Sequence, residues 1–173
     1  MTNEEKFNLI TRNLEEVLTG EELKTIIKSG TPLKYYIGFE ISGKVHLGTG
    51  LMSMLKIKDL ADAGVETVVF LADWHTWLNK KLDGTLATAK KMARAYFEEG
   101  LKAAALCVGA NPAKIEFVLG STLYEKLGLD FWANVIKISK ATTLSRMLRS
   151  TTIMGRKESE IQDAAMLIYP AMQ

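Results

Sequence analysis

Residues that cross-link a chain or bind metals are scarce in this sequence. Its 173 residues include one cysteine, Cys107, with two histidines and three prolines. A single cysteine excludes an internal disulfide and suits a reducing cytosol, so we expect a cytoplasmic protein. Cys107 follows Ala105 and Leu106, and we expect its thiol to be buried. Two isolated histidines do not make a zinc site, so we expect no protein-bound metal.

Long apolar runs and a strong excess of one charge are also absent. No run approaches the ~18 residues of a membrane span, and the acidic start, MTNEEKFNLI, is unlike a secretory signal. The net charge of +2 is too small to indicate a nucleic-acid partner. A hydrophobic content of 47% is ordinary for a globular core. The length predicts one domain. From the lack of long apolar runs, we expect no membrane partner.

The most informative stretch is residues 34–50, KYYIGFEISGKVHLGTG. It begins with aromatic and β-branched residues typical of a strand, breaks at Ser42-Gly43, and continues with helical spacing from about His46. Ligands bind at such turns after a strand of an α/β sheet, and the free N–H groups of a helix start bind anions. His46 would add a hydrogen bond to a phosphate. Spacing alone leaves open a turn whose glycines serve only tight packing.

Two better-known phosphate loops do not fit this stretch. It lacks the G-x-G-x-x-G spacing of dinucleotide-binding turns. It is also not a Walker A loop, because Gly43-Lys44 is followed by Val45 rather than by serine or threonine.

The string YIGFEISGKVHLGTG resembles the first signature of class I aminoacyl-tRNA synthetases, the HIGH element, here His46-Leu47-Gly48-Thr49. Together with the preceding YIGFE, it is similar to tyrosyl-tRNA synthetases of the archaeal and eukaryotic type. Two positions depart from that pattern. Thr49 replaces the last histidine of the motif, and Ile41 replaces a common proline. Threonine can hydrogen-bond a phosphate but carries no positive charge.

The resemblance implies two sets of site residues. For ATP they are Gly38, Glu40, Ser42, Gly43, His46, Gly48 and Thr49, with His46 and Thr49 catalytic. For tyrosine they are Tyr36, Gly38, Glu40, Phe70, Ala72, His75, Tyr169 and Gln173. The family segments behind the second set are YIGFE, LADWHTWLN and AMLIYPAMQ. From the residues alone, His75 also fits a histidine bonded to local backbone, and Tyr169 a core tyrosine with Gln173 an exposed glutamine.

The spacing of apolar residues along the rest of the chain predicts an α/β fold with a Rossmann-like parallel sheet and flanking helices. We expect a helix over residues 4–18 and a second beginning at Thr19, whose spacing to Glu22 fits a capping box. These two should pack against the sheet edge. Strands are expected at residues 66–72 and 114–119, joined by a long helix that ends at Gly109. The order β-α-β-α-β indicates parallel strands with right-handed crossovers.

Residues 121–173 have a helical pattern throughout. The stretch 127–138 is apolar on several faces, which fits either a helix buried in its own domain or a subunit interface. The resemblance favours an interface, a connective region through which the family dimerises, here residues 128–150. Cations at Arg146, Arg149 and Arg156 fit a solvated face or contacts with tRNA phosphates. We therefore predict a helical arm (1–33), a nucleotide- and amino-acid-binding half (34–120) and a connective region (121–173).

By this resemblance the chain acts with ATP, its Mg²⁺ and tyrosine to make tyrosyl-adenylate, then transfers tyrosine to tRNA(Tyr). The family's lysine-rich KMSKS loop and anticodon domain do not occur in the 173 residues, so the activity of this chain alone is left open. Two other functions remain. One is a stand-alone nucleotidyltransferase with an HxGH-like turn, and the other is a non-catalytic nucleotide- or RNA-binding module. Tyrosine-dependent exchange of pyrophosphate into ATP separates the three.

Overall fold

The computed structural model describes residues 1–153 and 164–172, in which three parallel strands form one sheet. The strands are β1 (Lys34–Phe39), β2 (Glu66–Leu71) and β3 (Ile115–Leu119), in spatial order β1-β2-β3. Lys34 lies opposite Glu66, and Thr67 opposite Ile115. Strand β2 is central and almost wholly buried, as its apolar run predicts. The predicted α/β fold with a parallel sheet is confirmed.

Helices connect the strands and cover both faces of the sheet. They are α1 (Asn3–Thr11), α2 (Gly20–Ser29), a π-helical turn (Gly48–Met52), α3 (Ser53–Asp62), α4 (Asp73–Leu78), α5 (Leu86–Met92), a π-helical segment (Ala93–Glu98), α6 (Glu99–Cys107), α7 (Gly120–Ala141), α8 (Leu144–Ile153) and α9 (Ala165–Ile168). Short 3-10 turns lie at Pro112–Lys114 and Tyr169–Ala171. In the described part of the chain, no helix is both long and apolar enough to cross a bilayer.

Alternate residues of β2 enter two separate cores. Val69 and Leu71 point into the core formed with α3 and the helical path from α5 to α6. Phe70, together with Ala72 just after the strand, enters the other core, which contains residues of α7 and the C-terminal residues Ala171 and Met172. This alternation is the two-residue period of a strand. Neighbouring residues of β2 therefore lie on opposite sides of the sheet. A ligand site on one side can be lined by Phe70 or by Val69 and Leu71, but not by both.

The N-terminal arm differs from its prediction in two respects. Helix α1 ends at Thr11 rather than near residue 18, because Arg12 leaves helical geometry and Asn13 adopts a positive φ of 58°. Leu18, which a helix over residues 4–18 would place on the same apolar face as Ile10 and Leu14, is 84% exposed. Helix α2 does begin after Thr19, but the Thr19 side chain makes no capping bond. The backbone of Thr19, at ψ 50°, is not in the extended conformation that directs a capping hydroxyl into the first turn.

The arm packs mainly against α3 and the chain entering β2, rather than against the sheet edge alone. Ile10 and Ile27 are buried with Leu60. A bidentate pair joins Arg12 to the buried carboxylate of Asp59. The Lys56 ammonium donates to the carbonyl oxygen of Arg12 at 2.8 Å. The helix that follows the glycine-punctuated turn is therefore held from behind by the N-terminal arm.

We expect Arg12→Met to lower the melting temperature by several degrees, because the Asp59 carboxylate would stay buried without its guanidinium partner. Lys58→Met is a matched control on the same helix, since it breaks only the surface pair with Asp62. Thermal unfolding of both variants measures the difference. Equal shifts would contradict a special role for the Arg12 pair.

Two further features of the helices were not predicted. Cys107, expected to be buried, is exposed at the end of α6, where the buried face is formed by Leu101 and Ala105 instead. Helix α7 is interrupted at Gly128, which has φ 56° and ψ −134°. Such a conformation strongly favours glycine, so Gly128 marks a bend between the first two turns of α7 and the rest.

Candidate active site

The candidate site lies where β1 and β2 end. Residues 40–52, here called the signature turn, follow β1, and α4 follows β2. The backbone N–H of Ile41 donates to the Thr76 hydroxyl oxygen at 2.8 Å, and that hydroxyl donates to the Ala72 carbonyl oxygen at 2.8 Å. The amide of Asn79 donates to the carboxylate of Glu40. The start of the signature turn is therefore fastened to α4.

His46 is fixed by bonds within the signature turn. Its backbone N–H donates to the Thr49 hydroxyl at 3.1 Å, and its carbonyl oxygen accepts from the Gly50 N–H at 2.7 Å. The Gly48 N–H donates to Nδ1 of the His46 ring at 3.2 Å. An imidazole whose Nδ1 accepts carries its proton on Nε2 in the neutral form. The side chain is exposed, so the Nε2–H donor is available to a ligand.

These bonds change the expectation that backbone N–H groups of the turn are free for an anion. The N–H groups of Val45, His46 and Gly48 are engaged by the Tyr96 hydroxyl, the Thr49 hydroxyl and the His46 ring respectively. The Thr49 hydroxyl itself is bound to the His46 backbone. A phosphate at this turn would depend on side-chain donors more than on these three amides.

The other residues predicted for ATP lie along the same turn. Ser42 and Gly43 are exposed, and Glu40 is half-buried beside Asn79. A Cβ on Gly48 would stand 3.2 Å from Cε1 of the His46 ring. Gly48 is therefore the residue that lets this ring lie flat against the backbone. Gly38 is the second-last residue of β1, and a Cβ there would stand 3.2 Å from the Tyr36 hydroxyl.

Four of the residues predicted for tyrosine lie together on the Phe70 side of the sheet. The ring of Phe70 is 5.8 Å from that of Tyr36 and 6.1 Å from that of His75, between ring centroids. Ala72 is buried beside them. Tyr36 is half-exposed, and burial raises the pKa of its hydroxyl. His75 is 2% exposed, and burial lowers its pKa to about 4, so the ring is neutral at pH 7.

Tyr124 belongs to this wall and was missed at the sequence level. It is buried on α7, with its ring 6.2 Å from that of Phe70 and stacked at 4.3 Å on Phe131. Gly120 permits this packing, because a Cβ there would stand 2.9 Å from Cζ of Phe70 and 2.8 Å from the Asp73 carboxylate. A buried tyrosine one turn into a helix that follows a strand has no local pattern to distinguish it from ordinary core.

The remaining predicted residues lie in the C-terminal part. The backbone of Tyr169 is in the 3-10 turn after α9. Its neighbours Ala171 and Met172 share the buried cluster of Phe70. Gln173 and Arg156 lie outside the described residues, as does the side chain of Tyr169. Arg146 and Arg149 are exposed on α8, and their contact with tRNA stays a prediction.

The fold and this site define a Rossmann-like α/β protein with a ligand site at the carboxyl ends of its strands. The family model described as tRNA synthetases class I (W and Y) matches residues 28–173. The chain belongs to this family.

Individual relatives agree with the family match. The chain is 54% identical over 174 aligned positions to the tyrosine–tRNA ligase of Thermococcus kodakarensis, and 53% to that of Pyrococcus furiosus. The alignment covers all of this chain and 46% of each relative, so the chain spans about half their length.

Solved structures are similar in fold as well as sequence. The tyrosyl-tRNA synthetase of Pyrococcus horikoshii, crystallised with L-tyrosine, matches with a TM-score of 0.93 at 51% identity, over 100% of this chain and 46% of that one. The synthetase of Aeropyrum pernix matches with a TM-score of 0.80 at 38% identity, over 99% of this chain and 48% of that one. These likenesses agree with the resemblance based on the signature turn.

Proposed function

We propose that this chain is the amino-terminal part of a tyrosine–tRNA ligase and carries the first half of its active site. One observation carries the proposal. An exposed His46 donor in the signature turn and an aromatic wall around Phe70 lie at the ends of adjacent strands. The identity to curated tyrosine–tRNA ligases over the whole chain supports it.

The proposed reaction joins tyrosine to AMP. A tyrosine carboxylate oxygen attacks the α-phosphorus of ATP, a new P–O bond forms, and the bond to the bridging oxygen breaks to release pyrophosphate. His46 Nε2–H donates to the ATP phosphates, with Gly38, Glu40, Ser42, Gly43, Gly48 and Thr49 shaping that side. Mg²⁺ arrives with ATP, because hard phosphate oxygens are its preferred ligands. The rate gain comes from positioning and electrostatics, without a covalent enzyme intermediate.

The tyrosine pocket would use the wall described above. Tyr36, Phe70 and Ala72 contact the substrate ring, and neutral His75 supports the wall from behind. Tyr169 and Gln173 are proposed to hold the substrate's amino and carboxylate groups. In the second step, which takes place in the cytoplasm, a terminal ribose hydroxyl of tRNA(Tyr) attacks the tyrosyl carbonyl carbon, so that an ester bond to tRNA forms and the bond to AMP breaks. Arg146, Arg149 and Arg156 would meet phosphates of the acceptor stem, giving salt-dependent binding.

The test is tyrosine-dependent exchange of labelled pyrophosphate into ATP. It is run with the 173-residue chain and with a fusion that adds the carboxyl-terminal part of the Thermococcus kodakarensis relative. Exchange with tyrosine but not tryptophan supports the proposal and separates the two substrates that the family name covers. Exchange only with an acceptor other than an amino acid would support a nucleotidyltransferase. No exchange by either protein would leave a nucleotide- or RNA-binding module.

We also propose a homodimer through residues 128–150. Four large apolar side chains on α7 are exposed to solvent: Leu127, Leu129, Ile136 and Ile138, of which Leu129 is 86% and Ile136 66% exposed. Phe131 and Trp132 of the same helix pack inward on Tyr124. Leu129 and Ile136, seven residues apart, lie on one face of the helix, and an exposed apolar face of this kind is suited to a self-complementary, two-fold interface.

We expect Ile136→Asp to convert the dimer to monomer, because a carboxylate would be buried without a partner at the interface. Asn134→Asp is the matched control, since it adds the same charge at an exposed position of the same helix. Sedimentation velocity of the three proteins measures the outcome. A monomeric unmutated chain, or a spread of sizes unaffected by Ile136→Asp, would rule out this interface.

A further inference from the structure

We infer that Tyr96 is a positioning residue for His46. It acts through Val45, the residue that directly precedes His46 in the signature turn. The catalytic meaning of this inference rests on the proposed function of His46. The contact itself does not. Tyr96 lies 50 positions further along the chain, in the helical crossover between β2 and β3, and belongs to no motif of the signature turn.

The first observation is a hydrogen bond. The backbone N–H of Val45 donates to the hydroxyl oxygen of Tyr96 at 3.2 Å, in a half-buried setting. Val45 is covalently joined to His46, so its peptide orientation sets the position from which the imidazole starts. Without the hydroxyl, the Val45 N–H would have to find water or shift, and a half-buried donor that loses its acceptor is costly.

The second observation is steric and concerns the Val45 side chain. A Cβ on Gly50 would stand 3.0 Å from one methyl group of Val45, and a Cβ on Gly100 would stand 3.1 Å from the other. Val45 is therefore held between two glycines, one in the signature turn and one on α6. There is no room for a methyl group on either side without displacement of the valine.

The third observation is the spacing of the residues on the crossover. Tyr96, Gly100 and Ala104 recur every four residues, and a Cβ on Gly50 would also stand 3.5 Å from Ala104 Cβ. These three residues form one surface toward the signature turn, with the Tyr96 hydroxyl at one end, the missing side chain of Gly100 in the middle and the small Ala104 methyl group at the other end. The π-helical segment that carries Tyr96 is anchored by the buried Glu98 carboxylate.

The ion pairs of that segment lie within the crossover itself and stabilise its helical geometry without contacting the turn. Glu98 pairs with Arg94 at 2.7 Å and with Lys102 at 2.8 Å. The Tyr96 hydroxyl is therefore presented from a segment with its own fixed geometry. Within the signature turn, the Gly48 N–H then holds Nδ1 of His46. Tyr96, Val45 and His46 form a chain of contacts that leads from the crossover to the Nε2–H donor.

The test uses Tyr96→Phe in the 173-residue chain, with Tyr35→Phe as the matched removal of a half-buried tyrosine hydroxyl elsewhere. We expect Tyr96→Phe to speed hydrogen exchange of the Val45 amide by about tenfold, the effect of one lost hydrogen bond. Because the chain contains only two histidines, the ring ¹⁵N chemical shifts of His46 can be assigned in ¹H–¹⁵N spectra. We expect Tyr96→Phe to move these chemical shifts away from the values of a pure Nε2–H tautomer. Unchanged Val45 exchange and unchanged His46 nitrogens would overturn the inference. So would faster exchange spread uniformly over the chain, which indicates only lower stability.

A second experiment tests the close packing of Val45 between Gly50 and Gly100. In whichever protein supports pyrophosphate exchange, Gly100→Ala should lower kcat with little change in KM for tyrosine, and adding Val45→Ala should restore much of the loss by making room for the methyl group. If His46→Ala leaves exchange intact while Tyr96→Phe still frees the Val45 amide, the proposed function fails and the positioning contact stands. If His46→Ala slows exchange but neither Tyr96→Phe nor Gly100→Ala does, the positioning inference is wrong.

Discussion

His46→Ala is expected to lower the rate of tyrosine-dependent pyrophosphate exchange by roughly 100-fold or more, the scale of losing one oriented donor to developing charge. The physical reason is the geometry of the ring. Its Nδ1 is occupied by the Gly48 N–H, which leaves Nε2–H as the donor toward a ligand. The affinity for tyrosine, measured by calorimetry, should change little, because the rings of the aromatic wall around Phe70 lie on β1, β2 and α4, outside the signature turn.

Two variants control this prediction. Leu47→Ala removes an exposed neighbouring side chain that has no polar atom, and it should leave exchange nearly unchanged. His46→Gln keeps an N–H donor and should retain more activity than His46→Ala. An exchange rate for His46→Ala equal to that of the unmutated protein would show that the phosphate role of this residue is wrong.

His75 should make folding stability depend on pH between about 4 and 6.5. Burial lowers the pKa of His75 from 6.5 to about 4. Between these two pH values His75 is protonated in the unfolded chain but neutral in the folded chain. The unfolded state therefore binds more protons, and the free energy of unfolding rises with pH in this window. The histidine is neutral in both states above it. From the two pKa values, acidification from pH 7 to below 4 should cost roughly 3 kcal/mol through this residue.

Urea unfolding at several pH values measures this effect, and a variant separates it from the titration of carboxylates. His75→Gln should lose the His75 contribution, so its free energy of unfolding should fall less steeply on acidification than that of the unmutated chain. Equal steepness in the unmutated chain and His75→Gln would mean that His75 is not held neutral by burial.

The sheet and the position of the signature turn could be predicted because their signals are local. The apolar run of β2 indicates a strand buried on both faces, and a glycine-punctuated turn followed by helical spacing indicates a ligand site after β1. Parallel strands bring their carboxyl ends together. This is why the signature turn after β1 and α4 after β2 lie beside one another although they belong to different connections.

Features that depend on long-range partners had no such signal. Tyr96 and Gly100 read as ordinary members of an apolar helical stripe, and nothing in their spacing reveals that Val45 lies against them. Thr76 likewise looks like a polar residue in a short helix, although it is fully buried and accepts the Ile41 N–H. The overextended first helix has a different cause. Its apolar spacing continues past Thr11, but the backbone turns away at Arg12 to reach Asp59.

The π-helical segment Ala93–Glu98 amounts to one extra residue in an otherwise regular helix from residue 86 to 107. Deleting a single codon within it would let the helix regain uniform α-helical bonding. Every side chain on one side of the deletion would then turn by about 100° relative to the other side. The Tyr96–Gly100–Ala104 face and the buried Leu101 and Ala105 could not both keep their present neighbours. A deletion that makes the helix more regular would therefore break either the contacts of this helix with the signature turn or its contacts with the core.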